Sequence, residues 1–279
     1  MRAVFFLITA IVFSTAGVFA GELDPDLKRI LDKTDPGERI KVIAYLSDSL
    51  DGRSITLQHD AASLPANKRN KDTIFRLMNK AEQTQGSLLA KLIGDQKTGE
   101  VEMIRPFWIA NAIAFEATPR RIEEVVRRDD IEMIYFDYPI ELIEPVSKTP
   151  VANPMGRGAV ENGVAAIRAD EVWDLGFDGT GITVGVMDTG VDGNHPALTN
   201  WAGNDSDYDG HPEWAFHDPV TGQTFPFDSG SHGTHCTGTV CGQGGIGVAP
   251  GARYIHSAVI DRVSIEQTIT DAIAAFQWF

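Results

Sequence analysis

Cysteine is scarce: Cys236 and Cys241 are the two thiols in 279 residues, too few for a disulfide-held scaffold. Positive charge is scarce as well. With 24 Lys+Arg against 39 Asp+Glu, the formal net charge is −15, which argues against nucleic acid as a partner, since phosphates need a basic surface, and disfavours docking on an anionic membrane. Lysine disappears beyond residue 150, where 4 arginines stand against 16 acids, a net of −12. Residues 22–150 carry 19 basic and 23 acidic side chains, a net of −4. That change in chemistry along one chain predicts two units with different roles. After the first twenty positions there is no run approaching the ~20 apolar residues that a bilayer-crossing helix needs. What remains, 43% apolar and 23% charged, is the balance of a globular chain of one large or two ordinary domains.

Residues 1–20 read as a secretory signal peptide. Met1-Arg2 gives a positive start, residues 3–12 are nearly continuously apolar, and Val18-Phe19-Ala20 ends with small residues where a signal peptidase reads. Thr9, Ser14, Thr15 and Gly17 interrupt the stretch, unlike a membrane anchor. The expectation is cleavage after Ala20, a secreted product and no membrane association afterwards.

Residues 21–145 predict a small α/β domain. Residues 40–46 are β-branched and aromatic, as a strand requires. Ile74, Leu77, Met78, Ala81, Leu88, Leu89 and Leu92 recur near helical spacing, with Gly94 as the expected stop. Residues 101–118 suggest two strands turning near Ala110-Asn111. Pro119 opens a second helix, with Ile122, Val125 and Val126 on its apolar side. Residues 131–143 suggest a last strand. The order β-α-β-β-α-β is that of a ferredoxin-like split arrangement, without titratable clusters that suggest chemistry. Residues 146–163, punctuated by Pro150, Pro154, Gly156, Gly158 and Gly163, read as a linker, the kind of connection at which proteolysis concentrates.

The chemistry lies in the acidic half. Residues 181–187 form an apolar run, read as a buried parallel strand, that ends in Asp188-Thr189-Gly190. In open α/β sheets the working groups gather at the carboxyl ends of strands. Forty-four positions on, Gly230-Ser231-His232-Gly233-Thr234-His235-Cys236-Thr237-Gly238 is built almost wholly of small residues around its histidines. As a helix it carries His232 in its first turn, where the dipole disfavours an imidazolium. A buried carboxylate on the other ring nitrogen would restore basicity and fix the tautomer, and Asp188 is the candidate.

These two blocks, with His195-Pro196 and Gly247-Val248-Ala249-Pro250-Gly251-Ala252, make the chain resemble the subtilisin-like serine proteases. Trp201 and the segment His217-Asp218-Pro219-Val220 are most similar to the bacillopeptidase F branch. The resemblance implies an α/β fold: a subtilisin-like parallel-sheet protease domain over residues 164–279, incomplete here, preceded by an inhibitory propeptide over 21–145. It implies Asp188 and His232 as catalytic residues, protein or peptide substrates, the chain's own propeptide as intramolecular inhibitor, and processing within 146–163. His235 lies in the motif without belonging to the triad. Cys236 matches a free thiol that some members carry beneath the catalytic histidine.

The resemblance also implies a serine that the sequence lacks, since no Gly-Thr-Ser-Met-Ala segment occurs. Ser264-Ile265-Glu266-Gln267 reads as a capping box, and Ile269, Ile273, Phe276 and Trp278 carry an apolar helical face to Phe279, so a partial sequence, inactive alone, is expected. The competing reading is a non-catalytic binding or inhibitory protein that keeps the propeptide fold and a protease remnant. His232, His235 and Cys236 could instead suggest zinc, but the glycine-rich surroundings and the upstream aspartate fit the protease, and no metal ligand is assigned. Calcium stays open. Asp205-Ser206-Asp207-Tyr208-Asp209-Gly210 copies half of a calcium loop, yet Phe216 at its twelfth position has no carboxylate, and Ala197 follows His195-Pro196 where some subtilases place a calcium-binding aspartate. Five positions apart on one helix, Cys236 and Cys241 cannot bridge.

Overall fold

The computed structural model describes residues 21–140, 142, 160–205, 208–209, 211–260 and 268–279. The signal peptide, nearly all of the linker, the Ser264–Gln267 capping pattern and part of the calcium-loop pattern lie outside them.

The first unit runs β1 (Glu22–Leu23), α1 (Pro25–Leu31), β2 (Ile40–Leu46), α2 (Gly52–Ala61), α3 (Ala66–Gln96), β3 (Val101–Phe107), β4 (Ala112–Ala117), α4 (Pro119–Val126) and β5 (Ile131–Phe136). Its sheet has the order β1-β5-β2-β4-β3, with β2 antiparallel to both neighbours. Period-two alternation gives the sheet two working faces. Val42, Ala44, Leu46, Ile113 and Phe115 point to the helices and join Leu27, Leu88, Leu92, Ile122 and Val125 in one core. On the other face Ile43, Phe107, Ala112 and Ala114 form a shallower cluster, its alanines low enough for a helix to lie close.

That helix comes from the second unit, which runs α5 (Asn162–Ala166), α6 (Ala169–Asp174), β6 (Thr183–Asp188), β7 (Asn204–Asp205), β8 (Tyr208–Asp209), β9 (Phe216–His217), α7 (His232–Cys241), β10 (Arg253–Ala258) and α8 (Ile269–Trp278). Ile273 and Ala274 of α8 pack on the alanine face. The junction is also polar: Arg105 Nη1 lies 2.9 Å from Asp271 Oδ1, the Trp108 amide donates to Gln277 Oε1 at 2.9 Å, and the Thr270 amide donates to buried Asp137 at 2.9 Å. A bulge between Glu102 and Arg105, with Met103 at φ 54°, sets the local twist of β3 beside this contact.

The second unit's sheet is parallel, β6-β10-β9. Its core gathers Val191, Leu198, Trp201, Phe216, Cys241 and Tyr254.

Several expectations are corrected. α3 continues through Gly94 to Gln96, because a glycine inside a helix weakens it without breaking it, and the positive φ needed for a stop comes at Gly99. Ile74 and Met78 of α3 are exposed; only the later turns, from Ala81 onward, lie over the sheet. β5 ends at Phe136, and Tyr138 and Pro139 pair with the start of α8 instead. Among the described residues β6 stands at the edge of its sheet, and it is not a buried strand: Thr183 and Gly185, on one face, are exposed and only Asp188 is fully buried. The capping box of α8 is formed by Thr268 and Asp271.

Candidate active site

Two chain segments meet at the carboxyl end of β6. Asp188 is its last residue, and the chain turns away immediately through Gly190 at φ 120°. A Cβ at Gly190 would stand 2.1 Å from the Phe227 carbonyl oxygen, so glycine is required there for space as well as for conformation. From the other side α7 arrives with His232 at its first position and Gly233 next. A Cβ on Gly233 would lie 2.0 Å from the Gly190 carbonyl oxygen and 3.0 Å from Asp188 Cβ. Those glycines let helix and strand end touch.

The contact joins the two predicted residues. His232 Nδ1 is 2.8 Å from Asp188 Oδ1 and 2.9 Å from Oδ2. The aspartate side chain is 9% exposed and the imidazole 32%, so the carboxylate is sealed while the ring keeps an open side. Asp188 Oδ1 also accepts the Thr189 amide at 2.7 Å, which fixes the carboxylate plane. Nδ1 then carries the shared proton, leaving Nε2 as the basic nitrogen.

A second carboxylate, which the sequence reading did not single out, holds the assembly in register. Asp228 accepts the Thr189 hydroxyl at 2.7 Å and the Gly230 amide at 3.0 Å. It also accepts the Thr234 amide at 2.8 Å and the Thr234 hydroxyl at 2.6 Å. Thr189 Oγ1 in turn accepts the Gly233 amide at 2.9 Å. Asp228 thus does for α7 what its N-cap residue Ser231 does not, since Ser231 makes no side-chain cap bond, and its charge suits the positive end of the helix. Partial burial opposes its ionisation, but the hydrogen bonds from Thr234 and Thr189 outweigh that and hold its carboxyl below the usual aspartate range. No short motif signals it: six residues separate it from Thr234, outside any capping spacing.

Cys236, one turn along α7, lies under the imidazole, with Sγ 3.6 Å from Nδ1 and 4.0 Å from Nε2. Burial first, then the Asp188 charge, push its thiol up to about 11. Both cysteines are free, as their spacing required. His235 is exposed and lines a cavity of about 1170 Å³ with Asp192, His195, Phe225 and Phe227, away from the Asp188 side. It therefore does not join the zinc set the sequence suggested; among the described residues the group able to share a cation is Asp188, His232 and Cys236.

Residues 179–278 match the Subtilase family. Bacillopeptidase F of Bacillus subtilis is 34% identical over 189 residues, which cover 63% of this chain and 13% of that protein. The minor extracellular protease Vpr of the same organism is 41% identical over 102 residues, 34% of this chain and 12% of Vpr. The chain therefore spans well under a fifth of the length of these relatives. A solved structure of the epidermin leader peptide processing serine protease from Staphylococcus aureus aligns over 85% of this chain and 47% of its own, at 13% identity and a TM-score of 0.47. No helix among the described residues is long and apolar enough to cross a membrane.

Proposed function

We propose, from the match of residues 179–278 to the Subtilase family, that the chain carries the aspartate and histidine of an Asp–His–Ser triad in a secreted serine endopeptidase precursor. The observation that carries this reading is the 2.8 Å contact between His232 Nδ1 and the sealed Asp188 carboxylate, with Nε2 left to act. His232 takes the proton of a serine hydroxyl through Nε2 as the oxygen attacks the scissile carbonyl. Asp188 holds the ring in its working tautomer and steadies the imidazolium. The same nitrogen then protonates the leaving amine, and water hydrolyses the acyl-serine by the reverse path. The serine segment that such a triad needs does not occur in these 279 residues, so in this reading the chain by itself hydrolyses nothing.

Residues 21–145 act in this reading as a ferredoxin-like inhibitory propeptide. The β-α-β-β-α-β order of β2, α3, β3, β4, α4 and β5 supports it, as does the junction of this unit with α8. Residues 1–20 direct export, and processing falls within 146–163.

The test compares the precursor expressed from its whole coding sequence with the 279-residue chain, using casein as substrate. The precursor is expected to hydrolyse casein after processing, His232→Ala to abolish turnover, and Asp188→Asn to lower kcat by about 10⁴-fold. Full activity in His232→Ala would refute the triad. Turnover by the 279-residue chain that His232→Ala removes would refute the need for an external serine.

A further inference from the structure

One side of the long helix α3 has no neighbour. α2 packs along Arg69, Asp72 and Arg76, α4 and the turn after it reach Lys91 and Ser87, and Leu88 and Leu92 face the sheet. On the remaining side Lys71, Phe75, Met78 and Glu82 follow one another at spacings of four, three and four, which on a helix makes a single line. All four are exposed, Phe75 by 64% and Met78 by 50%, with Ile74 beside them at 43%. Among the described residues neither Lys71 nor Glu82 has an ion-pair partner.

An apolar centre set between a cation and an anion on one line is complementary to itself. The point midway between Arg76 and Leu77 is also midway between Phe75 and Met78, and midway between Lys71 and Glu82. A second helix of the same sequence, turned end for end about that point, therefore lays Met78 against Phe75 and Glu82 against Lys71, each pair occurring twice. A parallel pairing in register would instead set Lys71 against Lys71 and Glu82 against Glu82, so the charges also select the direction.

We propose that the exposed line of α3 is a self-association surface whose partner is a second copy of this chain: two α3 helices pair antiparallel across a two-fold axis, with Phe75 of each copy on the partner's Met78 and Lys71 of each copy against the partner's Glu82. Such a contact is isologous and closes at two copies. From Lys71 to Glu82 the line runs about 17 Å, so the buried area falls below the ~1,200 Å² of ordinary stable interfaces, and the dimer is weak, with Kd of about 10–100 μM. α8 docks on the other face of the sheet from α3, so pairing leaves the junction with the second unit untouched and stands apart from any chemistry of Asp188 and His232.

Sedimentation equilibrium of the 279-residue chain between about 1 and about 200 μM, which brackets that Kd, is expected to show monomer and dimer in an equilibrium that weakens with salt. Phe75→Asp is expected to be monomeric throughout. Lys71→Glu and Glu82→Lys each place like charges opposite one another twice, and each should weaken self-association at least tenfold. Mixed in equal amounts, those two variants become complementary again and should recover the parent affinity as a heterodimer, which also shows that both remain folded. A parent chain monomeric at every concentration, association that Phe75→Asp leaves unchanged, or a mixture no tighter than its components would overturn the pairing.

Discussion

Gly233 and Gly238 lie five residues apart in the same helix, and alanine at each should shift stability in opposite directions. Helix propensity alone favours alanine by up to about 1 kcal/mol at an interior position. At Gly238 the added Cβ would meet only Ile246 Cγ2, at 4.0 Å, so that gain should be realised. At Gly233 the Cβ would stand 2.0 Å from the Gly190 carbonyl oxygen. Carbon and oxygen settle at about 3.3 Å, so α7 would have to retreat by about 1.3 Å. A retreat of that size would carry the 2.8 Å His232–Asp188 contact to about 4 Å, beyond hydrogen-bonding range. It would also part the Gly233 amide from Thr189 Oγ1. Overpacking costs about 1–3 kcal/mol and a lost hydrogen bond about 1 kcal/mol, against a small propensity gain at the second helical position. The net expectation for Gly233→Ala is destabilisation by roughly 1–3 kcal/mol, which lowers Tm by about 2–4 °C per kcal/mol for a chain of this size. Thermal unfolding of the two variants measures the stabilities, and the low-field proton resonance of His232 Nδ1–H reports the contact. A Gly233→Ala chain as stable as Gly238→Ala, with that resonance intact, would refute the close-approach argument.

Two further perturbations address charge. Asp228→Ala removes four hydrogen bonds and should cost about 2–3 kcal/mol through the lost helix cap and the orphaned groups of Thr189 and Thr234. Because the carboxyl of Asp228 is held below its usual range, its contribution is complete above the ordinary aspartate pKa and disappears as pH falls through the lowered value. Urea unfolding should then show the difference between parent and variant shrinking at low pH, and a constant difference would contradict the assignment. His217 offers a second handle. Its ring stacks on Trp278 at 5.1 Å and sits where Arg105, Trp108 and Gln277 of the unit junction meet. Burial lowers its pKa, and Arg105 adds to that while Asp218 and Asp271 oppose it. Its contribution is therefore present above the ordinary histidine pKa and lost as pH falls through the lowered value. Trp278 fluorescence should change on mild acidification in the parent chain and stay flat in His217→Phe; the same change in both would sink the idea.

The contact between Asp188 and His232 was readable because both residues occupy element ends, which local sequence marks well. A strand closing on Asp188 and a glycine-lined helix opening on His232 are short-range signals, and packing then had one economical way to join them. Asp228 was not readable, since its role depends on partners at Thr189 and Thr234 that only the fold brings near. In the first unit β2 followed from its β-branched and aromatic residues, β4 from a strand-like stretch with a turn near Ala110-Asn111, and α4 from Pro119. The short helices α1 and α2 were missed although Asp24 and Asp51 cap them, because a single capping aspartate resembles any turn. Gly94 misled for the converse reason: glycine ends a helix where positive φ is needed, and α3 needs none there. The edge position of β6 depends on which strands pair, information that an apolar run does not contain.

The docking of α8 has a kinetic corollary. β2, β4 and β3 are linked through antiparallel neighbours, while β6 must find β10 in parallel across the intervening β7, β8, β9 and α7. Non-local parallel pairing is slow, since the entropy of closing the intervening chain is spent before any contact repays it. A sheet that has already closed offers α8 its alanine floor, an arginine for Asp271 and a carboxylate for the Thr270 amide. Refolding should accordingly proceed in two phases, with the early one insensitive to Asp271→Ala and the late one retarded by it.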